Sequence, residues 1–153
     1  MTLYFEDIEV GHTRDCGSVT VTREDIVRFA ERYDPQPFHL SEEAASETMY
    51  GGLIASGWQT AALTARLLVE SYMNETASAG GRGIDALRWH APVRPGDTLS
   101  VELEVLEKRP DDRGAFGHTR VGVTTTNGDG ETVCTMEGLG MVKCRKSAEN
   151  EAI

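Results

Sequence analysis

The sequence is short of cysteine, of lysine and of long apolar runs, and each shortage removes a class of protein. Its three cysteines, Cys16, Cys134 and Cys144, form no CxxC and share no metal-like spacing with the four histidines. So odd and dispersed a set argues against a disulfide framework; free, buried thiols are expected, and no metal site. His12, His90 and His118 are too scattered to imply zinc and read as structural or surface groups. No stretch approaches the ~20 apolar residues that a membrane-crossing helix needs. The start, Met1-Thr2-Leu3-Tyr4-Phe5-Glu6-Asp7, lacks the basic beginning and apolar core of a signal peptide, which points to a cytoplasmic protein. Lysine occurs only at Lys108, Lys143 and Lys146, and 15 Lys and Arg face 25 Asp and Glu, for a net charge of -10. Nucleic acid is therefore not an expected partner, because phosphate binding needs a basic face. An anionic ligand would need a local cluster of arginines on an otherwise repulsive surface.

What is present reads as one domain. A chain of 153 residues with 39% hydrophobic composition can fill one core but not two. Residues 1–146 are expected to form that domain, with 147–153 a flexible polar tail. Residues 5–10 read as a short strand or extended arm ending at Gly11. The β-prone Val19-Thr20-Val21 leads to Thr22, a helix N-cap with Asp25 three residues on. Ile26, Val27, Phe29, Ala30 and Tyr33 then recur at helical spacing. This helix must stop near Asp34, because Pro35 disfavours helical backbone in the residue before it.

Ser41 caps a short second helix, which Gly51-Gly52 breaks. From Gly57 to Met73 a long helix is expected to lie nearly buried, since Gln59, Arg66, Glu70 and Asn74 share one narrow polar face. Trp58, Leu63, Leu67 and Met73 are assigned to its core side. The pattern then changes to period two over residues 84–89, 98–106, 119–126 and 131–142, read as four half-buried strands. Turn signals separate them: Pro95-Gly96-Asp97, Asp111-Asp112-Arg113-Gly114 and Asn127-Gly128-Asp129-Gly130. Links this tight make the strands antiparallel. The expected fold class is α+β: a single hot-dog domain, its long central helix wrapped by a curled antiparallel β-sheet.

Three segments carry chemistry. Tyr33 precedes Asp34-Pro35-Gln36-Pro37-Phe38-His39; Gly51-Gly52-Leu53-Ile54-Ala55-Ser56-Gly57 approaches the long helix; residues 87–99 run Leu-Arg-Trp-His-Ala-Pro-Val-Arg-Pro-Gly-Asp-Thr-Leu. In this order, over about residues 5 to 145, they resemble the MaoC-like dehydratase family, which includes the (R)-specific enoyl-CoA hydratases. The first segment is similar to that family's D-x-N-P-x-H signature. It departs at Gln36, where the family usually has Asn, and Ser56 precedes Gly57 where many members have His.

The residues themselves suit the addition of water to an enoyl thioester. The water must be positioned and deprotonated at the β-carbon, a proton must reach the α-carbon, and charge on the thioester oxygen must be stabilised. Asp34 and His39 supply an acid/base pair on a loop stiffened by Pro35 and Pro37, with either side chain open as the base. Gly57, in the first turn of the long helix, offers a backbone N–H with no intrahelical partner and lets a carbonyl approach closely. By resemblance, Asp34, His39 and Gly57 are the catalytic residues. Gln36, Ser56, Arg88 and Arg94 are candidate substrate-binding residues, the arginines for phosphate. Arg82, Arg120 and Arg145 are further available cations.

The resemblance implies a hydratase/dehydratase acting reversibly on 2-enoyl-CoA and 3-hydroxyacyl-CoA thioesters. It implies no cofactor, with the coenzyme A thioester as substrate, and a homodimer or assembly of dimers. Two alternatives stay open: a hot-dog acyl-CoA thioesterase, and a non-catalytic acyl-CoA-binding partner subunit. The acidic surface makes an acyl carrier protein a less favoured carrier than coenzyme A.

Overall fold

The computed structural model describes residues 1–146. The expected tail, 147–153, lies outside the described residues. Strand β1 (Thr13–Thr20) is followed by helices α1 (Arg23–Tyr33), α2 (Pro37–Leu40), α3 (Glu42–Ser46) and α4 (Gly57–Ser71). Four longer strands complete the domain: β2 (Ser78–Trp89), β3 (Thr98–Pro110), β4 (Phe116–Thr126) and β5 (Thr132–Lys143). They form one antiparallel sheet in the order β1-β3-β4-β5-β2, the hot-dog arrangement expected from the sequence. No described helix is long and apolar enough to cross a membrane.

Local chemistry explains the helix boundaries. Thr22 Oγ1 accepts the Asp25 N–H at 3.1 Å and starts α1, which buries Ile26 and Ala30. Asp34 leaves helical geometry (φ -154°, ψ 68°), as the following proline demands. Ser41 caps α3 by accepting the Ala44 N–H. Ser56 caps α4 by accepting the Trp58 N–H at 3.2 Å.

The core lies between α4 and the concave face of the sheet. Leu99, Val101, Leu103 and Val105 alternate inward on β3, and Val121 and Val123 do so on β4. Thr64, buried on α4, donates to the Thr60 carbonyl, so the Thr125 hydroxyl must donate to Thr64 Oγ1 at 2.8 Å. This satisfied hydroxyl chain ties helix to sheet inside the core. Leu103 is fully buried; Leu103→Ala is expected to lower unfolding free energy by about 2–5 kcal/mol, measured by denaturant titration.

Several expectations need correction. Residues 5–10 are not a strand: Phe5–Asp7 is a 3-10 turn, closed by the Tyr4 N–H donating to the Asp7 carboxylate at 2.9 Å. Phe5 packs where a side chain at Gly117 would stand, which draws the segment onto the sheet rather than into it. The edge strand β1 was visible only at its last residues. It buries Cys16 alone, and a bulge around Gly17 (φ 89°) disturbs its alternation. Strand β2 begins at Ser78, well before residue 84, running through Gly80, Gly81 and Gly83 with shifts of register. It is exposed along nearly its whole length rather than half-buried.

The central helix is also less buried than its composition suggests. Gln59, Thr60, Thr64 and Leu68 are its buried residues, and Leu63 and Leu67 pack partly buried against the core. Trp58 and Met73, assigned to the core, are exposed, as is Val69. One curled sheet covers one face of a helix, so an apolar residue on the opposite face stays outside within a single chain. Gln59, read as part of the polar stripe, faces inward instead. Cys16 and Cys134 are buried as expected, but Cys144 is only half-buried.

Candidate functional site

The Asp34–His39 pair is assembled at the break between α1 and α2. Pro35 ends α1, and Pro37 starts the single turn of α2, where its fixed φ suits the first helical position. His39 thereby falls on the buried side of α2, with 4% of its surface exposed. Across from it, the apolar run before α4 is pinned on both sides. The Ile54 N–H donates to the Phe38 carbonyl and the Ala55 N–H to the Val93 carbonyl. Glu42 adds a third tie by accepting the Leu53 N–H at 3.2 Å. This leaves the Ile54 carbonyl 2.8 Å from His39 Nδ1.

A carbonyl oxygen only accepts, so His39 Nδ1 must carry a hydrogen, and the neutral ring has its lone pair on Nε2. That nitrogen lies 3.3 Å from Asp34 Oδ2. The carboxylate is held from two other sides: Ser56 Oγ donates to Oδ2 at 2.7 Å, and Gln36 Nε2 donates to Oδ1 at 2.7 Å. Burial pushes the Asp34 carboxyl up, but the Ser56 hydroxyl, the Gln36 amide and His39 outweigh it and hold the group below its ordinary 3.8. A carboxylate depressed in this way favours the fold above its unfolded value, and that contribution disappears as pH falls through the folded one.

Gly57 is the first residue of α4, and its N–H finds no acceptor within the helix. Packing requires glycine there as well. A Cβ at 57 would stand 2.4 Å from Trp89 Cε2 and 2.6 Å from Cδ2. The Trp89 ring also meets Trp58 edge-on, with centroids 5.2 Å apart. Together these residues border an open cleft of about 540 Å3. Asp34, Gln36, His39 and Gly57 supply its polar features; Phe38, Tyr50, Ile54 and the two tryptophans supply its apolar walls.

The structure therefore brings Asp34, Gln36, His39 and Gly57 to one cleft, with Ser56 directly behind Asp34. Arg88 and Arg94 do not line it. Arg88 neighbours Trp89 on a strand, so the two take opposite faces. The Arg94 guanidinium donates to the Tyr50 carbonyl, and its backbone N–H to Asp97 Oδ2. Trp58, Thr60, Trp89 and His90 line the cleft without having been singled out for it. Trp58 was hidden by its hydrophobicity. Trp89 and His90 were hidden because only the sheet order brings the end of β2 beside the start of α4.

The chain is similar to known proteins over most of its length. The MaoC like domain family matches residues 7–127. The 3-hydroxybutyryl-CoA dehydratase of Methylorubrum extorquens is 37% identical over 155 residues, covering 99% of this chain and 90% of its own. The (R)-specific enoyl-CoA hydratase of Rhodospirillum rubrum is 29% identical, with 93% of each chain covered. The crystal structure of a MaoC-like dehydratase from Rhodospirillum rubrum superposes with a TM-score of 0.86 at 41% identity, covering 94% of this chain and 98% of that one. In sequence, fold and the order of its elements, the chain belongs to the MaoC like domain family.

Proposed function

We propose that the protein is a hydratase/dehydratase that interconverts 2-enoyl-CoA and 3-hydroxyacyl-CoA thioesters through Asp34 and His39. The observation that carries this reading is His39 Nε2 held 3.3 Å from the Asp34 carboxylate at the wall of an open cleft. With the imidazole neutral, two acceptors face each other there, and a water molecule can donate to both. In the hydration direction, His39 Nε2 takes one proton of that water while the hydroxyl bonds to the β-carbon. Asp34 orients the water and stabilises the imidazolium that forms. The electron pair of the double bond moves towards the thioester oxygen, where the Gly57 N–H and the start of α4 favour negative charge. The imidazolium then returns its proton to the α-carbon, completing the addition of water. Dehydration is the same path reversed. The names of the dehydratase and hydratase relatives support this reaction class for the chain.

The thioester itself is the reactant, and none of these steps calls on a cofactor. Arg88, exposed near the cleft end of β2, is our choice for meeting the phosphates of coenzyme A. Mixing the protein with crotonyl-CoA tests the proposal. Loss of enoyl absorbance without free thiol supports hydration, whereas thiol release makes the protein a thioesterase. Binding of enoyl- and hydroxyacyl-CoAs without turnover makes it an acyl-CoA-binding subunit.

We further propose a homodimer joined through β2. This strand is one of the sheet's two edges, and an open edge is a template for pairing. Ile84 and Trp89 on β2, Trp58 and Val69 on α4, and Met73 just after α4 are exposed apolar residues available for burial. Light scattering after size exclusion is expected to give twice the chain mass. Ile84→Lys is expected to shift the population to monomer, and a monomeric parent protein contradicts the proposal.

A further inference from the structure

We infer that Ser56 is a positioning residue: it locks the Asp34 carboxylate to the first turn of α4 and does not itself bind substrate. The consequence for turnover rests on the hydration reading above; the contact does not. Ser56 is fully buried and is absent from the cleft wall, so no substrate atom meets it there. Its hydroxyl performs two tasks that together fix the direction of its hydrogen. The oxygen accepts the Trp58 N–H at 3.2 Å, and the hydrogen goes to Asp34 Oδ2 at 2.7 Å. A hydroxyl has one hydrogen, so this arrangement suits a carboxylate that only accepts.

The same Asp34 oxygen faces His39 Nε2. Ser56 thereby selects which carboxylate oxygen is turned to the imidazole and restrains rotation of the group. The position also adds the field of the helix start, which favours an anion. Asp34 is met by Gln36 from its own segment, by His39 from α2 and by Ser56 from α4, and of these three His39 alone titrates. His90 lines the same cleft from the end of β2, with its Nε2 engaged to the Thr135 hydroxyl at 2.6 Å. Removing the Ser56 hydroxyl leaves the burial of Asp34 opposed by fewer donors, which moves its titration upward.

The test compares Ser56→Gly, Ser56→Ala and Ser56→Thr in the full chain. Glycine is itself an accepted helix N-cap, so Ser56→Gly removes the carboxylate contact with little loss of capping; threonine keeps the hydroxyl. Carbon-13 NMR of the Asp34 carboxyl, with thermal melts to check folding, reads the contact without any substrate. The midpoint is expected to rise by about one pH unit in Ser56→Gly and Ser56→Ala, and to stay in place in Ser56→Thr. With crotonyl-CoA, kcat is expected to fall about tenfold in Ser56→Gly with KM nearly unchanged. An unmoved carboxyl midpoint in folded Ser56→Gly overturns the inference, as does a rise in KM alone. If the parent protein turns over no enoyl-CoA, the hydration reading fails, while the carboxyl titration still decides the role of Ser56.

Discussion

Asp34→Asn and His39→Ala are each expected to lower kcat towards crotonyl-CoA by about 10²–10⁴-fold with the fold retained. The two substitutions remove different parts of the proposed dyad. Asparagine nearly preserves the shape of Asp34 and can still meet Ser56 and Gln36, which hold the native carboxylate at 2.7 Å. It carries no negative charge, so it neither orients water as strongly nor stabilises an imidazolium. His39→Ala removes the proposed proton acceptor and leaves the Ile54 carbonyl without its ring partner. The segment carrying Ile54 keeps its ties to Phe38, Val93 and Glu42, so folding should survive. Circular dichroism melts check that condition, and initial rates on crotonyl-CoA check the effect. Near-parental turnover in either folded variant would remove the dyad from the mechanism. Because the proposed mechanism has both residues serve one water, the double variant is expected to lose little beyond the worse single one.

Gly57→Ala is expected to lower kcat/KM by about 100-fold, from the displacement of a wall rather than from loss of a donor. The N–H of residue 57 survives the change. The new methyl group, however, would stand 2.4 Å from the Trp89 ring, too close for any side chain. Trp89 ends a strand and is 45% exposed, so it can swing away at small cost to stability. The direction left to it is bounded by Trp58, 5.2 Å off, and by the cleft itself. Tryptophan fluorescence should report the move. Adding Trp89→Ala to Gly57→Ala relieves the collision and is expected to restore much of the lost rate. Full activity of Gly57→Ala with unchanged fluorescence contradicts both the collision and the need for close approach at this position.

Much of the site could be read from the chain because its parts are local. Asp34 and His39 are five positions apart, and two prolines decide the backbone between them: one ends α1 and the other starts α2. The helix start at Gly57 was legible from the apolar pattern that follows it; the structure adds Ser56 as its cap. The strands β3 and β4 were equally plain, since β4 buries every second residue along most of its length and β3 does so from Leu99 to Val105. The edges were obscure for a physical reason. An outer strand has a neighbour on one side only, and neither β1 nor β2 keeps a regular alternation. Glycines in both permit bulges that break the period on which strand recognition depends.

By itself the sequence determined the caps at Thr22 and Ser41, the inner strands, the single α+β layer and the closeness of Asp34 to His39, because each depends on neighbours a few positions away. Tertiary structure alone decided how the site residues are arranged. It turned His39 Nδ1 to the Ile54 carbonyl, leaving Nε2 as the nitrogen that faces Asp34. It placed Ser56 behind the carboxylate instead of in the cleft, tied Arg94 to Tyr50, and laid Trp89 across Gly57. Those contacts join residues 15 to 44 positions apart. No local preference encodes them; they arise when sheet order and core packing bring distant segments to the same few ångströms.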